Sequence, residues 1–210
     1  MIPIGDEDSH IRTTPVVSYV IIALNILVFL LELTIGDSFI IRWAFIPSRF
    51  AESPLSDSIT VFTSMFMHAG WLHLGGNMLY LWVFGNNVED RFGHIKFIIF
   101  YLFSGVLATI TQLAFIRGSD IPNLGASGAI AGVLGAYLLM FPWGRVTVLL
   151  VRFLVPLPAV IVLGFWFILQ FYSGVGSIAV SSETGGVAYM AHIGGFIAGF
   201  VQAIFLRNLR

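Results

Sequence analysis

Three short strings hold polar side chains of types that could do chemistry together within the apolar runs of this chain. They are His68-Ala-Gly-Trp-Leu-His73-Leu-Gly-Gly-Asn77, Gly125-Ala-Ser127-Gly128 and Ala191-His192-Ile-Gly-Gly195. Together they offer a hydroxyl, imidazoles and a carboxamide. A serine hydroxyl is a weak nucleophile until a neighbouring base takes its proton, and His192 is the candidate base for Ser127. The tetrahedral intermediate of acyl transfer then needs hydrogen-bond donors, which His73, the Asn77 amide and the Ser127 backbone N–H can supply. His73 and Asn77 are four residues apart and so share one helical face. Cysteine is absent, which excludes thiolate nucleophiles, disulfides and cysteine metal sites. There is no HExxH string for zinc, and no metal or cofactor is expected.

The elements that must position these residues are membrane helices. Hydrophobic residues make up 58% of the 210 residues and charged residues only 10%, against roughly 25% charged in a soluble domain. Mean hydropathy is +0.94, so lipid is the expected solvent. A net charge of -1 argues against a nucleic-acid partner. A spanning helix takes about 20 apolar residues. On that measure the sequence predicts spans at 16–35, 71–88, 95–116, 125–141, within 146–172 (starting near Pro156 or Pro158) and at 186–206. The predicted fold class is an all-α polytopic membrane protein. A polar tail at 1–14 precedes a single six-helix domain at 15–210. The stretch from Gly36 to Gly70 carries prolines and charges among aromatic residues, and reads as short helices in the membrane interface.

Basic residues orient the spans. With the N-terminus inside, inner segments collect Arg12, Arg91, Lys96, Arg145, Arg152, Arg207 and Arg210, whereas outer ones hold Arg42, Arg49 and Arg117. That asymmetry predicts both termini in the cytoplasm, with a prokaryotic cell (inner) membrane as the expected setting. Spans two, four and six then run in one direction, so Asn77, His73, Ser127 and His192 lie at one depth near the outer face. His192, Gly195 and Gly199 form one stripe on span six, predicted to dock on Ser127, Ala131 and Gly135 of span four, with Gly194 pointing away. The Ser/Gly-rich segment from Ser173 to Gly186 is expected to cap the site.

Each string alone has a plainer explanation. Glycine and serine are ordinary helix-packing residues in membranes, and an isolated histidine or asparagine can serve as interhelical glue. Matching order, depth and chemistry on three helices favours catalysis. A protein that binds transmembrane helices without cutting them, a pseudoprotease or chaperone, is the alternative from another class.

In these residues the chain resembles the rhomboid intramembrane serine proteases. The three strings, extended to Gly199 in the last, fall in that family's order, and the resemblance covers the chain from about Pro15 onward. It implies a six-helix core, Ser127 as nucleophile, His192 as general base, and an oxyanion hole of Asn77, His73 and the Ser127 amide. It also implies transmembrane protein substrates that approach laterally from the bilayer, between spans two and five. Two departures stand out. Where many members carry a Trp-Arg pair in the first outer loop, this chain has Ile59-Thr60. Where some carry an aromatic residue that packs on the catalytic histidine, it has Ala131, which leaves open what orients the His192 ring.

Overall fold

The computed structural model describes residues 1–7, 11–180 and 188–207. Strand β1 (Ile2–Asp6) leads to helix α1 (Val16–Ile35) and then to four short helices, α2 (Asp37–Trp43), α3 (Pro47–Glu52), α4 (Pro54–Asp57) and α5 (Thr60–Thr63). The long helices α6 (Trp71–Phe92), α7 (His94–Phe115) and α8 (Ser127–Met140) follow. Next come a hairpin of β2 (Arg145–Leu150) and β3 (Phe153–Pro158), then α9 (Ala159–Val180) and α10 (Tyr189–Leu206). Four of these helices, α1, α7, α9 and α10, are long and apolar enough to cross a membrane.

Helix α1 shows which solvent the fold is built for. Its buried residues are Ser18, Ile21, Asn25, Phe29 and Glu32, while Val20, Leu24, Leu27 and Leu31 are exposed. Polar groups turned inward and apolar groups turned outward invert the pattern of a soluble surface helix. Glu89 at the end of α6 accepts the N–H groups of Val17 and Ser18 at 2.8 and 2.7 Å, together with the Ser18 hydroxyl. This carboxylate therefore satisfies amides that the first turn of α1 leaves unpaired.

Helix α8 is the centre of the bundle. Gly128 through Tyr137 are all buried, as expected of a helix that is apolar on every side. Its 14 residues span about 21 Å at 1.5 Å per residue, less than a hydrocarbon core of roughly 30 Å. Helix α10 reaches the α8 backbone because both faces lack side chains. A Cβ on Gly195 would overlap the Gly128 carbonyl, one on Gly199 the Gly132 backbone, and one on Gly135 the Phe196 carbonyl. The α8 face against α10 is thus Gly128, Gly132 and Gly135 rather than the predicted Ser127, Ala131 and Gly135. Gly194 is not free either: it faces the Thr111 side chain of α7.

The all-α expectation needs correcting in one respect. The predicted tail contributes β1, which pairs antiparallel with β2, and β2 pairs with β3 to form a three-stranded sheet. Val146 and Val148 alternate into the core at 0% exposure, the period of two of a strand, in the stretch ahead of the expected start of the fifth span near Pro156 or Pro158. The turn at Val151, with φ of 58°, closes the hairpin, and α9 starts immediately after Pro158. Asp6 anchors the sheet to the helices by accepting from Asn87 Nδ2 at 2.6 Å and from the Tyr137 hydroxyl at 2.7 Å.

Between α1 and α6 the short helices form a folded segment. Arg49 holds it, donating to Asp57 at 2.8 Å and to the carbonyls of Ile41 and Ala44. Thr60, one of the pair at the Trp-Arg position, is buried and donates to the Asp57 carbonyl at 2.6 Å. Of the segment predicted to cap the site, residues 173–180 continue α9, and 181–186 lie outside the described residues.

Candidate active site

Ser127 is the first residue of α8. It follows Gly125, whose φ of 134° suits glycine, and Ala126, which caps the helix. Gly125 N–H donates to the Ser64 carbonyl at 2.9 Å, which ties this turn to the segment before α6. The backbone N–H of Ser127, in the first turn, has no acceptor within its own helix.

His192 lies in the first turn of α10 and is 8% exposed. Its Nε2 is 2.7 Å from Ser127 Oγ, across 65 residues of sequence. The glycine contacts just described hold these two helix starts together. On its other side, His192 Nδ1 is 2.7 Å from Oε1 of Gln170 in α9. Sequence reasoning missed Gln170. The available signal was one amide after the wholly apolar run from Ala159 to Leu169 in a spanning helix.

His73 faces this centre from α6, and Asn77 follows one turn later on the same helix. Ala69 N–H lies 3.4 Å from His73 Nδ1, so in the neutral ring the proton belongs on Nε2. That Nε2 edge points at Gly125: a Cβ built there would be 2.9 Å from His73 Nε2 and 3.6 Å from Ser127 Oγ. Asn77 is 8% exposed, and its Nδ2 is 2.9 Å from His68 Nε2. An amide NH2 carries two hydrogens, so one remains for another acceptor. His68 is itself fixed. Its backbone N–H donates to both carboxylate oxygens of Glu32, at 3.2 and 3.1 Å, and its ring lies edge-on to His73 with centroids 5.0 Å apart. Burial, followed by the nearby His73, pushes the His68 imidazole down to about 4, which keeps the ring neutral and its lone pair available. The connection of His68 through Glu32 to α1 was not foreseen.

Ser127, His192 and His73 thus meet around the start of α8, and Asn77 is linked to them through His68, whose ring lies against His73. A cavity of about 30 Å³ opens beside Ser127, lined among others by Ser64, Leu124, Gly125, Ala188 and Ala191, with room for a water molecule. A hydroxyl on an imidazole, next to N–H donors and a water-sized space, can carry out acyl transfer to water. Among the described residues no group of three or more His, Cys, Asp or Glu side chains could hold a metal ion.

The chain is similar to several known rhomboid proteins. "Rhomboid protein 1, mitochondrial" of Saccharomyces cerevisiae is 27% identical over 193 residues, covering 90% of this chain and 52% of the yeast protein. "Rhomboid protease GluP" of Bacillus subtilis is 33% identical over 198 residues, covering 91% of this chain and 35% of GluP. "RHOMBOID-like protein 6, mitochondrial" of Arabidopsis thaliana is 33% identical over 146 residues, covering 69% and 42% respectively. The chain therefore spans about half, or less, of the length of these relatives. The two relatives named as mitochondrial do not fit the expected prokaryotic setting; what stands is an integral membrane protein. Residues 56–209 match the family model described as the Rhomboid domain, and the chain belongs to the rhomboid family.

Proposed function

We propose that this protein is an intramembrane serine endopeptidase that hydrolyses peptide bonds in or near transmembrane segments of other membrane proteins. The observation that carries the reading is the 2.7 Å approach of His192 Nε2 to Ser127 Oγ at the partly buried starts of two helices. Ser127 Oγ attacks the substrate carbonyl carbon while its proton passes to His192 Nε2. The resulting oxyanion is held by the Ser127 N–H, His73 Nε2–H and the second Asn77 N–H. His192 then protonates the leaving amine as the C–N bond breaks, which leaves an ester on Ser127. Water adds to that ester with His192 taking its proton, and the carboxyl product departs as the proton returns to Ser127. A regular helix hides its carbonyls in hydrogen bonds, so the substrate must unwind locally before attack. Entry between α6 and α9 suits this geometry. Six spans, with both termini on the inner side, complete the proposed topology.

The test is labelling of the detergent-purified protein by a fluorophosphonate probe, beside cleavage of a transmembrane test substrate. Wild type should be labelled at Ser127 and should cut. Ser127→Ala and His192→Ala should do neither, while keeping their melting behaviour. Binding of the substrate without labelling or cleavage by the wild type would instead establish a non-catalytic binder.

A further inference from the structure

We propose that Gln170 is the positioning residue of the base: its amide oxygen accepts the His192 Nδ1–H, turning the Nε2 lone pair toward Ser127. This rests on the endopeptidase reading above and adds a third member to its dyad.

A neutral imidazole carries one N–H, and only the Nδ1–H form has a free lone pair on Nε2 to receive a serine proton. The two ring nitrogens of His192 have different neighbours, each at 2.7 Å: Gln170 Oε1 at Nδ1 and Ser127 Oγ at Nε2. A hydroxyl can donate or accept, so Ser127 does not choose the tautomer. A carbonyl oxygen can only accept, so Gln170 does. No carboxylate contacts His192 among the described residues, and its other ring neighbours are Trp166 and Tyr189. A neutral amide suits this depth, because an extra buried carboxylate would carry a large desolvation cost. An amide fills the same place in Cys–His–Asn protease sites.

The surrounding packing shows how Gln170 is held. Trp166, one turn earlier on the same face of α9, has its ring 5.9 Å from the His192 ring and tilted by 37°. Trp166 and Phe167 both pack on Phe196, four residues beyond His192, with centroids 6.0 and 4.7 Å apart. These aromatic contacts dock α9 on α10 and bring Gln170 to the imidazole. The opposite face of α9, with Phe165, Ile168, Leu169 and Tyr172, is exposed. Position 131 holds an alanine, so α8 offers no ring to His192. Here α9 supplies both the aromatic wall and the hydrogen-bond acceptor.

The experiment compares Gln170→Met, which keeps the length and removes the oxygen, with Gln170→Glu, which keeps an oxygen acceptor. Gln170→Met should lower kcat about 10- to 100-fold at unchanged KM, the scale of a misoriented catalytic group. Gln170→Glu should keep clearly more of the kcat than Gln170→Met, at a cost in melting temperature from the buried carboxylate. Equal activity of the two variants, or a loss confined to KM, overturns the assignment. Nitrogen NMR of 15N-histidine-labelled full chain in detergent gives a readout independent of turnover, with the His192 signal identified by its loss in His192→Ala. Wild type should show His192 protonated at Nδ1, and Gln170→Met a mixture of tautomers. An Nε2–H ring in wild type sinks the proposal. Nδ1–H in a wild type that the fluorophosphonate does not label would leave the orientation standing and remove the protease reading.

Discussion

Gly199 of α10 lies against Gly132 of α8 so closely that a Cβ added to it would overlap the Gly132 carbonyl oxygen and α-carbon. Backbone cannot rotate aside as a side chain can, so Gly199→Val must push the two helices apart. The Ser127–His192 contact depends on their separation. A misplacement near 1 Å costs about 10²-fold in rate, and overpacking costs about 1–3 kcal/mol. Gly199→Val should therefore lose most turnover and several degrees of melting temperature, although it touches no reacting atom. Gly194→Val meets Thr111 of α7 as far as its backbone-fixed Cβ, so it should also lower the melting temperature, but it does not press on α8 and should keep more turnover than Gly199→Val. Turnover and melting of both variants in one detergent decide this; equal tolerance would mean that the glycine contact does not set the helix spacing.

Asn77 should act on the transition state. Removing one oxyanion donor costs about 10²–10³ in kcat, so Asn77→Ala should fall by that much with KM nearly unchanged. His68→Ala leaves Asn77 without its 2.9 Å partner and should give a smaller loss of the same kind. Steady-state kinetics on one substrate separates the two. A rise in KM alone at Asn77 would indicate a docking residue.

Glu89 is fully buried and accepts from two backbone amides and a hydroxyl at the start of α1, besides its 2.6 Å contact with His94. Truncating one partner of such a buried charged cluster costs about 3–5 kcal/mol. Glu89→Ala should lower the melting temperature by many degrees. Ser18→Ala, which removes one of the donors, should lower it by far less. Thermal unfolding of the pair tests the ranking.

Asp6 ties the sheet to α6 and α8 through Asn87 and Tyr137. Asp6→Ala leaves a buried hydroxyl and amide without that acceptor, at about 1–3 kcal/mol. Proteolysis of the N-terminal strand should become faster in the variant, while fluorophosphonate labelling of Ser127 persists. Unchanged proteolysis would show that strand pairing alone retains β1.

The proposed topology can be read from labelling, and the absence of native cysteine gives a clean background. A cysteine at Ser56 should react with an impermeant thiol reagent from outside. One at Val151, in the 97% exposed hairpin turn, should react only from inside. The reverse pattern would put the start of α8 at the inner face.

The sequence by itself determined the parts of this protein that depend on local pattern. Val16–Ile35 was legible to the residue because a predominantly apolar run of twenty residues ends at Gly36, and the candidate site residues stood out because they are polar side chains in apolar runs. The sheet was hidden because residues 2–6 lie within a stretch whose polar residues read as a tail, and strand pairing joins segments far apart in the chain. Gln170 was hidden for a related reason: a lone amide declares that it needs a partner, but only the docking of α9 on α10 selects His192 Nδ1 at 2.7 Å. The same holds for Glu32, whose carboxylate finds the His68 backbone 36 residues away once α1 packs beside α6. Periodicity and side-chain chemistry act over a few residues and can be read along the chain. Hydrogen-bond partners across helices follow from packing, which tertiary structure alone decides.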